Sequence, residues 1–253
     1  MTAKNSVSLV IIDTDTYRLA RNAVDKTLKQ FPVDDVLIFS DEPSYWEGYP
    51  IIQIKKISRQ ADYNALVLKE LVHHLKTDFA LMIQFDGFVI NPESFSEFFY
   101  KFDYLGAPWP AGIIPNHGPM VGNGGFSLRS KRLIEALAKR DSGINFDIPE
   151  DATVCRFLRP ILEEYEGICF APVEVARHFS FELENPKSLM PFGFHGLHIL
   201  PLVYRDNIGF LVENLPERCF KAGSYQLKNL QIGFASLDPE AQSLLLKKIE
   251  EFK

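Results

Sequence analysis

Five apolar residues run directly into a polar turn in the stretch Phe79-Ala80-Leu81-Met82-Ile83-Gln84-Phe85-Asp86-Gly87. An unbroken apolar run of this length is typical of a strand buried on both faces, as the strands of parallel sheets are. Similar runs come earlier, at residues 7–12, 36–39 and 51–54. The first is followed directly by Asp13, and the second by Ser40 and Asp41.

Residues with helical spacing separate these runs. Apolar side chains recur three or four positions apart at Leu19, Ala20, Ala23, Val24 and Leu28, and again between Ala65 and Leu75 in a helix that we expect to begin at Asp62. Alternating strands and helices predict a parallel, Rossmann-like sheet, whose ligands bind at the carboxyl ends of the strands. We therefore expect Asp13, Asp41 and Asp86 to share one functional edge.

The regular alternation of predicted strands and helices ends after residue 92. The remaining predicted elements are a helix near 93–99, a strand near 104–106, a Pro- and Gly-rich stretch over 107–125 of the kind that often forms a lid, and helices opening at Ser130, at Glu150 with a kink near Pro160, and at Asp238. The C-terminal third is expected to be mostly helical. We predict one main domain over residues 1–196, with residues 197–253 as a helical extension packed on it.

Composition excludes several classes of function. The net charge is −6 and no run of Lys or Arg stands out, which argues against a nucleic-acid partner. The three cysteines lack metal-ligand spacing and fit reduced thiols. No apolar stretch approaches the roughly 20 residues of a transmembrane helix. We expect a cytoplasmic protein without a transmembrane segment, for which peripheral membrane contact stays open.

Asp86 has two interpretations. Asp-Gly between apolar residues is typical of a tight hairpin turn. A carboxylate fixed at a strand end is also a ligand for Mg²⁺ or Mn²⁺, and an acidic protein that binds an anionic nucleotide needs such a cation to offset repulsion. Both interpretations can hold together.

Three further stretches carry candidate chemistry, each with a plain alternative. Asn123, Gly124 and Gly125 offer bare backbone to a ligand or form a simple tight loop. Glu150 and Asp151 offer a general base or merely stabilise a helix start through its dipole. His195 lies between glycines in Pro191-Phe192-Gly193-Phe194-His195-Gly196 and is either a structural histidine or a metal ligand.

The order of these motifs resembles a known family. Gln84 to Gly87, then Tyr104-Leu105-Gly106-Ala107-Pro108-Trp109-Pro110, then residues 121–130, then Glu150-Asp151, then residues 191–195 together resemble a bacterial family of GT-A-type glycosyltransferases linked with surface-polysaccharide synthesis. The resemblance covers roughly residues 7–196. It implies an α/β fold with a GT-A-type, Rossmann-like mixed sheet flanked by helices, followed by a mostly helical C-terminal segment.

The arrangement is also similar to that of metal-dependent galactosyltransferases, which carry an Asp-x-Asp element, a Gly-Gly-Glu-Asp element and a late histidine. By that likeness Asp86 and His195 are metal ligands and Asp151 is the base. Two departures stand out. Gln84 replaces the first aspartate, so an uncharged amide would contact the nucleotide, and the glycine pair is far from Glu150 and Asp151 in sequence.

The predicted function is therefore transfer of a hexose-like sugar from a nucleotide-diphosphate sugar to a glycan or lipid-linked acceptor hydroxyl, with Mn²⁺ or Mg²⁺ and inversion at the sugar carbon. Glu150 is an alternative base or orients the acceptor. Trp109 is expected to stack on the acceptor or to pack between its flanking prolines. The remaining candidates for the nucleotide-sugar, chosen for their places near the strand ends or in the glycine stretch, are Arg18, Arg21, Tyr63, Asn64, Gln84, Asn123, Gly124 and Gly125.

Two rival functions stay open. A metal-dependent nucleotidyltransferase would share the sheet edge and the cation but attack a phosphate instead of a sugar carbon. A catalytically silent module that binds a nucleotide-sugar would need the same cavity without the base.

Overall fold

The centre of the protein is a six-stranded mixed sheet with strand order β3-β2-β1-β4-β8-β5. The structure is a computed structural model that describes residues 5–112, 118–140, 142–183 and 190–252. The strands are β1 (Val7–Ile12), β2 (Asp35–Ser40), β3 (Ile51–Gln53), β4 (Phe79–Ile83), β5 (Tyr104–Gly106), β6 (Pro108–Trp109), β7 (Met120–Val121), β8 (Ser127–Ser130), β9 (Ser180–Phe181) and β10 (Gly193–Phe194).

Helices cover the sheet and form most of the C-terminal part. They are α1 (Tyr17–Gln30), α2 (Gln60–Ala65), α3 (Lys131–Lys139), α4 (Glu150–Ala152), α5 (Arg159–Glu166), α6 (Val173–Phe179), α7 (Leu200–Val203), α8 (Ile208–Asn214), α9 (Tyr225–Phe234) and α10 (Pro239–Glu250). Wider π-type turns, Leu66–Glu70 and Thr153–Leu158, continue α2 and join α4 to α5.

Strands β1 to β4 are parallel, and β8 runs antiparallel to both of its neighbours, β4 and β5. Alternate residues of β1 serve two different cores. Leu9 and Ile11 pack in the larger core with α1 and the C-terminal helices, whereas Val10 and Ile12 pack on the opposite face with the segment that follows α2. The predicted α/β class, with a Rossmann-like mixed sheet flanked by helices, is confirmed.

The C-terminal helices share the larger core. Its members run from Val7 in β1 to Leu245 in α10. The hydroxyl of Tyr204 donates a hydrogen bond to Oδ1 of Asn22 in α1, at 2.9 Å, and ties the end of α7 to the first helix. The predicted mostly helical C-terminal segment is therefore confirmed. Within the described ranges, no helix has both the length and the apolar character needed to cross a bilayer.

Several local predictions need correction. The helix expected near 93–99 is two short 3-10 turns, Pro92–Ser94 and Glu97–Lys101, because Pro92 and the clustered aromatic side chains favour local packing over a continuous helix. The second helix begins at Gln60, ahead of the predicted Asp62. Part of the 107–125 stretch, including His117, lies outside the described residues.

Candidate active site

The turn after β4 confirms that Asp86 occupies a hairpin. The backbone N–H of Gln84 donates to the Gly87 carbonyl at 2.9 Å, and the Gly87 N–H donates to the Gln84 carbonyl at 3.0 Å. The turn leaves the Asp86 side chain buried, and no described residue donates a hydrogen bond to its Oδ1 atom. Burial raises the pKa of this carboxyl above its usual range. A buried and unpartnered carboxylate oxygen is costly unless a ligand satisfies it.

His195 is brought to Asp86 by backbone pairing. Its N–H donates to the Phe181 carbonyl at 3.0 Å, and the Gly196 N–H donates to the Asp86 carbonyl at 2.8 Å. As a result, Nε2 of His195 lies 3.6 Å from Oδ1 of Asp86 and 3.2 Å from Oε1 of Gln84. The sheet edge thus collects a carboxylate, an imidazole and an amide oxygen at one place.

The other ring nitrogen of His195, Nδ1, contacts two further side chains. Nδ1 lies 3.0 Å from Oε1 of Glu182 and 2.7 Å from Nδ2 of Asn123. Burial alone would lower the pKa of His195, but the charge of Asp86 and the contact with Glu182 outweigh it and raise the pKa to about 9. A carboxylate behind a histidine fixes the orientation of the ring, as it does for many metal-binding histidines.

These donors fit a divalent cation. Oxygen from Asp86 and Gln84 and nitrogen from His195 are ligand types that Mn²⁺ and Mg²⁺ accept. Over the part of the chain that the structure describes, three or more His, Cys, Asp or Glu side chains do not converge on one point as a closed metal site would require. The unpartnered Oδ1 of Asp86 and the nearby Nε2 of His195 instead match an open site with few protein ligands.

Gly124 and Gly125, which were predicted to offer bare backbone to a ligand, make room for other side chains of the protein. A Cβ atom on Gly125 would lie 2.2 Å from Nε2 of His195, and one on Gly124 would lie 2.0 Å from Oε1 of Glu150. The space that a side chain would fill is therefore occupied by protein groups rather than left for a ligand. The Gly124 N–H already has a hydrogen-bond acceptor within the protein, since it donates to Oδ2 of Asp151 at 3.0 Å.

The side chain of Asn123 contacts neighbouring protein groups. Its side chain is buried, and its Oδ1 accepts a hydrogen bond from the Phe126 N–H at 3.2 Å while its Nδ2 faces Nδ1 of His195. Its backbone φ of 57° lies in the left-handed region, which asparagine tolerates better than most residues. Its side chain is enclosed by protein, and the predicted contact with the sugar stays a prediction.

Glu150 is held in a buried ion pair. Both of its oxygens accept hydrogen bonds from the guanidinium of Arg129 in β8, at 2.8 Å each, and both side chains are buried. Burial would lower the pKa of Arg129, but the charge of Glu150 keeps it well above the usual range. A carboxylate paired with a guanidinium is a weaker base than an unpaired one. The role of Glu150 as an alternative base or as a group that orients the acceptor stays a prediction.

Asp151 differs from its neighbour. Its Oδ2 accepts from the Gly124 N–H and its Oδ1 from the Ala152 N–H, at 3.0 and 2.7 Å, and neither oxygen pairs with a described cation. Burial, followed by the nearby charge of Glu150, raises the pKa of Asp151 to about 6. A carboxylate whose pKa lies close to neutral pH suits general-base catalysis.

The residues predicted to bind the nucleotide lie in different places in the structure. The Tyr63 hydroxyl accepts a hydrogen bond from Nε2 of Gln84 at 3.0 Å, so these two lie together at the edge. Asn64 is fully buried and donates to the carbonyls of Phe146 and Ile148. Its amide secures the segment that leads into α4, and its predicted nucleotide contact stays a prediction.

The two arginines of α1 are not brought to the edge. Arg21 pairs with Asp25, donates to the Tyr45 carbonyl and lies over the ring of Tyr49. Arg18 is exposed and lines neither cavity described below. Their predicted role at the nucleotide stays a prediction.

Two adjoining cavities occupy the sheet edge and share Gln84, Phe85 and Arg218. The first, of about 380 Å³, is lined by Ile12, Asp13, Thr14, Asp15, Lys56, Ile57, Tyr63, Gln84, Phe85 and Arg218. The second, of about 230 Å³, includes Asp86, Glu182, His195 and His198, together with Tyr225, Gln226 and Asn229 of α9. Of the three aspartates predicted to share this edge, Asp13 lines the first cavity and Asp86 the second, whereas Asp41 lines neither. The two adjoining cavities are together called the groove below.

Trp109 lies outside both cavities. Its ring rests on Gly122, where an added Cβ atom would meet it at 2.2 Å, and the side chain keeps partial exposure. The packing alternative is present, and the exposed part leaves the acceptor role untested.

Three contributors escaped sequence reasoning. Glu182 comes from a stretch without any motif, and Arg218 is distant in sequence. Arg129 lies in the motif over residues 121–130 and in β8, but its burial beside Glu150 has no local signature in the sequence.

The sheet edge brings the buried carboxylate of Asp86 and the imidazole of His195 to the wall of one cavity, and Asp13 lines the adjoining one, whereas Asp151, at the start of α4, lines neither. This arrangement defines an α/β protein with a candidate ligand site at the carboxyl edge of its sheet. The chain belongs to the family described as a protein of unknown function, DUF5672, whose model matches residues 50–195. That range contains Asp86, Asp151 and His195. Among curated proteins, none matches the sequence significantly.

Solved structures with partial likeness include a mannosyltransferase from Pyrobaculum calidifontis in complex with GDP-Man and Mn²⁺, with 12% identity and a TM-score of 0.49 over 99% of this chain and 75% of that one. The bifunctional IspDF from Campylobacter jejuni has 11% identity and a TM-score of 0.40 over 58% of this chain and 46% of that one, less than half its length.

Glucosyl-3-phosphoglycerate synthase from Mycobacterium tuberculosis has 11% identity and a TM-score of 0.39 over 60% of this chain and 64% of that one. The assignment of function rests on this chain's own site.

Proposed function

We propose that the protein is a metal-dependent glycosyltransferase that uses a nucleotide-diphosphate sugar. One observation carries the proposal: Oδ1 of Asp86 is buried, unpartnered among the described residues and 3.6 Å from Nε2 of His195, in a groove at the carboxyl edge of the sheet. A ligand that brings a divalent cation satisfies that oxygen, and a nucleotide diphosphate is such a ligand. The mannosyltransferase complex with GDP-Man and Mn²⁺ is a precedent for the pairing.

Asp86 and His195 would hold Mn²⁺ or Mg²⁺, with the amide of Gln84 beside them. When bound, the cation supplies charge stabilisation to the departing diphosphate. Gln84 is in turn oriented by the Tyr63 hydroxyl, and His195 by Glu182 and Asn123. These contacts fix the ligands before substrate arrives, which reduces the cost of organising the site.

Asp151 is the proposed general base. It takes the proton from an acceptor hydroxyl as that oxygen attacks the anomeric carbon, while the bond from the sugar to the diphosphate breaks and its electron pair stays on the phosphate oxygen. Attack from the face opposite the diphosphate inverts the configuration. The buried pair of Glu150 with Arg129 anchors the start of α4 and so places Asp151.

The acceptor is proposed to be a glycan or lipid-linked sugar, consistent with surface-polysaccharide synthesis, and Trp109 is its proposed stacking partner. A cytoplasmic location is part of the same proposal, since nucleotide-sugars are then at hand.

Incubation with a panel of nucleotide-sugars and Mn²⁺, followed by detection of the released nucleoside diphosphate, tests the function. Donor hydrolysis or transfer with at least one nucleotide-sugar is expected. Release of pyrophosphate from a nucleoside triphosphate in place of nucleoside diphosphate from the sugar donor would identify a nucleotidyltransferase. Nucleotide-sugar binding with no turnover across the panel would identify a silent module.

A further inference from the structure

Arg218 reaches the groove from outside the family-matched range. It lies in the short 3-10 helix Glu217–Cys219 of the C-terminal extension, and its guanidinium is ion-paired with the carboxylate of Asp15, just beyond β1. Both side chains keep about half of their surface exposed, 48% for Arg218 and 46% for Asp15. The arginine is therefore accessible from the groove.

The surrounding charge favours a cationic side chain there. Acidic side chains line both cavities, Asp13 and Asp15 in the first and Asp86 and Glu182 in the second. Among the described residues that line them, Arg218 and Lys56 are the arginines and lysines, and of these two Arg218 lines both cavities. A diphosphate that enters the groove meets these carboxylates, and Arg218 offsets their repulsion at the junction of the two cavities, with Lys56 in the first and His195 in the second.

We infer that Arg218 binds the diphosphate of the nucleotide-sugar at the junction of the two cavities, and that it leaves Asp15 to do so. The inference rests on the proposed function for the identity of the ligand. A guanidinium presents a planar fork that matches phosphate oxygens, and an exposed ion pair such as that with Asp15 is weak enough to exchange. Arg218 stands beside Gln84 and Phe85, next to the turn that carries Asp86, so the two phosphates lie between the arginine and the metal ligands.

The test is calorimetric titration with inorganic pyrophosphate in buffer depleted of divalent cations, which removes the contribution of a metal ion held by Asp86 and His195. Wild type should bind, and Arg218→Gln should weaken binding about tenfold or more. Arg205→Gln is the matched control: it removes the same charge from an exposed arginine of the C-terminal part that lines neither cavity, and it should change binding less than twofold.

Asp15→Asn tests the exchange. It should tighten pyrophosphate binding several-fold in the wild-type background and clearly less when combined with Arg218→Gln, because the competitor matters only while the arginine is present. Equal tightening in both backgrounds contradicts the exchange. Absence of pyrophosphate binding in the wild type, or equal affinity in Arg218→Gln, overturns the inference.

Failure of the proposed function gives a different result. If no nucleotide-sugar is turned over and yet Arg218→Gln loses pyrophosphate while Arg205→Gln keeps it, the anion site stands and glycosyl transfer is wrong.

Discussion

Oδ1 of Asp86 and Nε2 of His195 lie 3.6 Å apart, although one residue follows β4 and the other follows β10. Two features permit the approach: the backbone bond from Gly196 to the Asp86 carbonyl and the missing side chain at Gly125. Both side chains line the second cavity.

Gly125→Ala should abolish Mn²⁺-dependent nucleotide binding. The new Cβ atom would stand 2.2 Å from Nε2 of His195, so the ring must move away from Asp86. Calorimetric titration of a nucleoside diphosphate with and without Mn²⁺ measures the loss. Gly209→Ala is the matched control, because no atom lies within 4 Å of its added Cβ. Equal binding by the two variants would remove His195 from the site.

Asp151→Asn should lower turnover by about 10²-fold or more with little change in donor affinity, because only the proton transfer is lost. The wild-type turnover number should rise with pH through an apparent pKa near 6, since burial raises the pKa of Asp151 to about 6 and the base acts when deprotonated. Asp13 has a pKa raised to a similar value by burial. Asp13→Asn should keep this limb of the pH profile, and its disappearance there would reassign the base.

Glu150→Gln should destabilise the protein by about 3–5 kcal/mol, because it leaves the buried guanidinium of Arg129 without a counter-charge. Denaturant unfolding measures the loss. The paired replacement Arg129→Met with Glu150→Leu should cost clearly less, since no charge is left buried alone. A stable but inactive Glu150→Gln protein would contradict the structural role assigned here.

Asp86→Asn should lower the pKa of His195. Burial alone would lower that pKa, and the charge of Asp86 is the first of the groups that raise it to about 9. Proton NMR titration of the His195 ring without divalent cations measures the shift. An unchanged pKa of His195 in the variant would contradict the electrostatic contact between Oδ1 of Asp86 and Nε2 of His195.

The sheet could be predicted because β1, β2 and β4 are continuous apolar runs with helical spacing between them. The position of Asp86 just beyond the carboxyl end of β4 could be predicted from the apolar run that precedes it. The insertion of β8 between β4 and β5 was not foreseen, since its antiparallel pairing joins residues distant in sequence and leaves no local pattern.

The contacts and charge states of individual site residues were harder to predict from the sequence than the sheet was. Glu150 and Asp151 are adjacent in sequence and look alike, yet one is neutralised by Arg129 and the other is not. The glycines at 124 and 125 look like a ligand loop, but their missing side chains make room for Glu150 and His195. Such distinctions depend on contacts between segments, which a sequence pattern does not contain.

The most direct test is the affinity of a nucleoside diphosphate for wild type and Asp86→Asn, each titrated with and without Mn²⁺. Mn²⁺ should tighten binding to the wild type by at least about tenfold, as one added charge-assisted contact would, and should leave the affinity of Asp86→Asn unchanged. Equal enhancement by Mn²⁺ in both proteins would contradict the assignment of Asp86 as the metal-holding carboxylate.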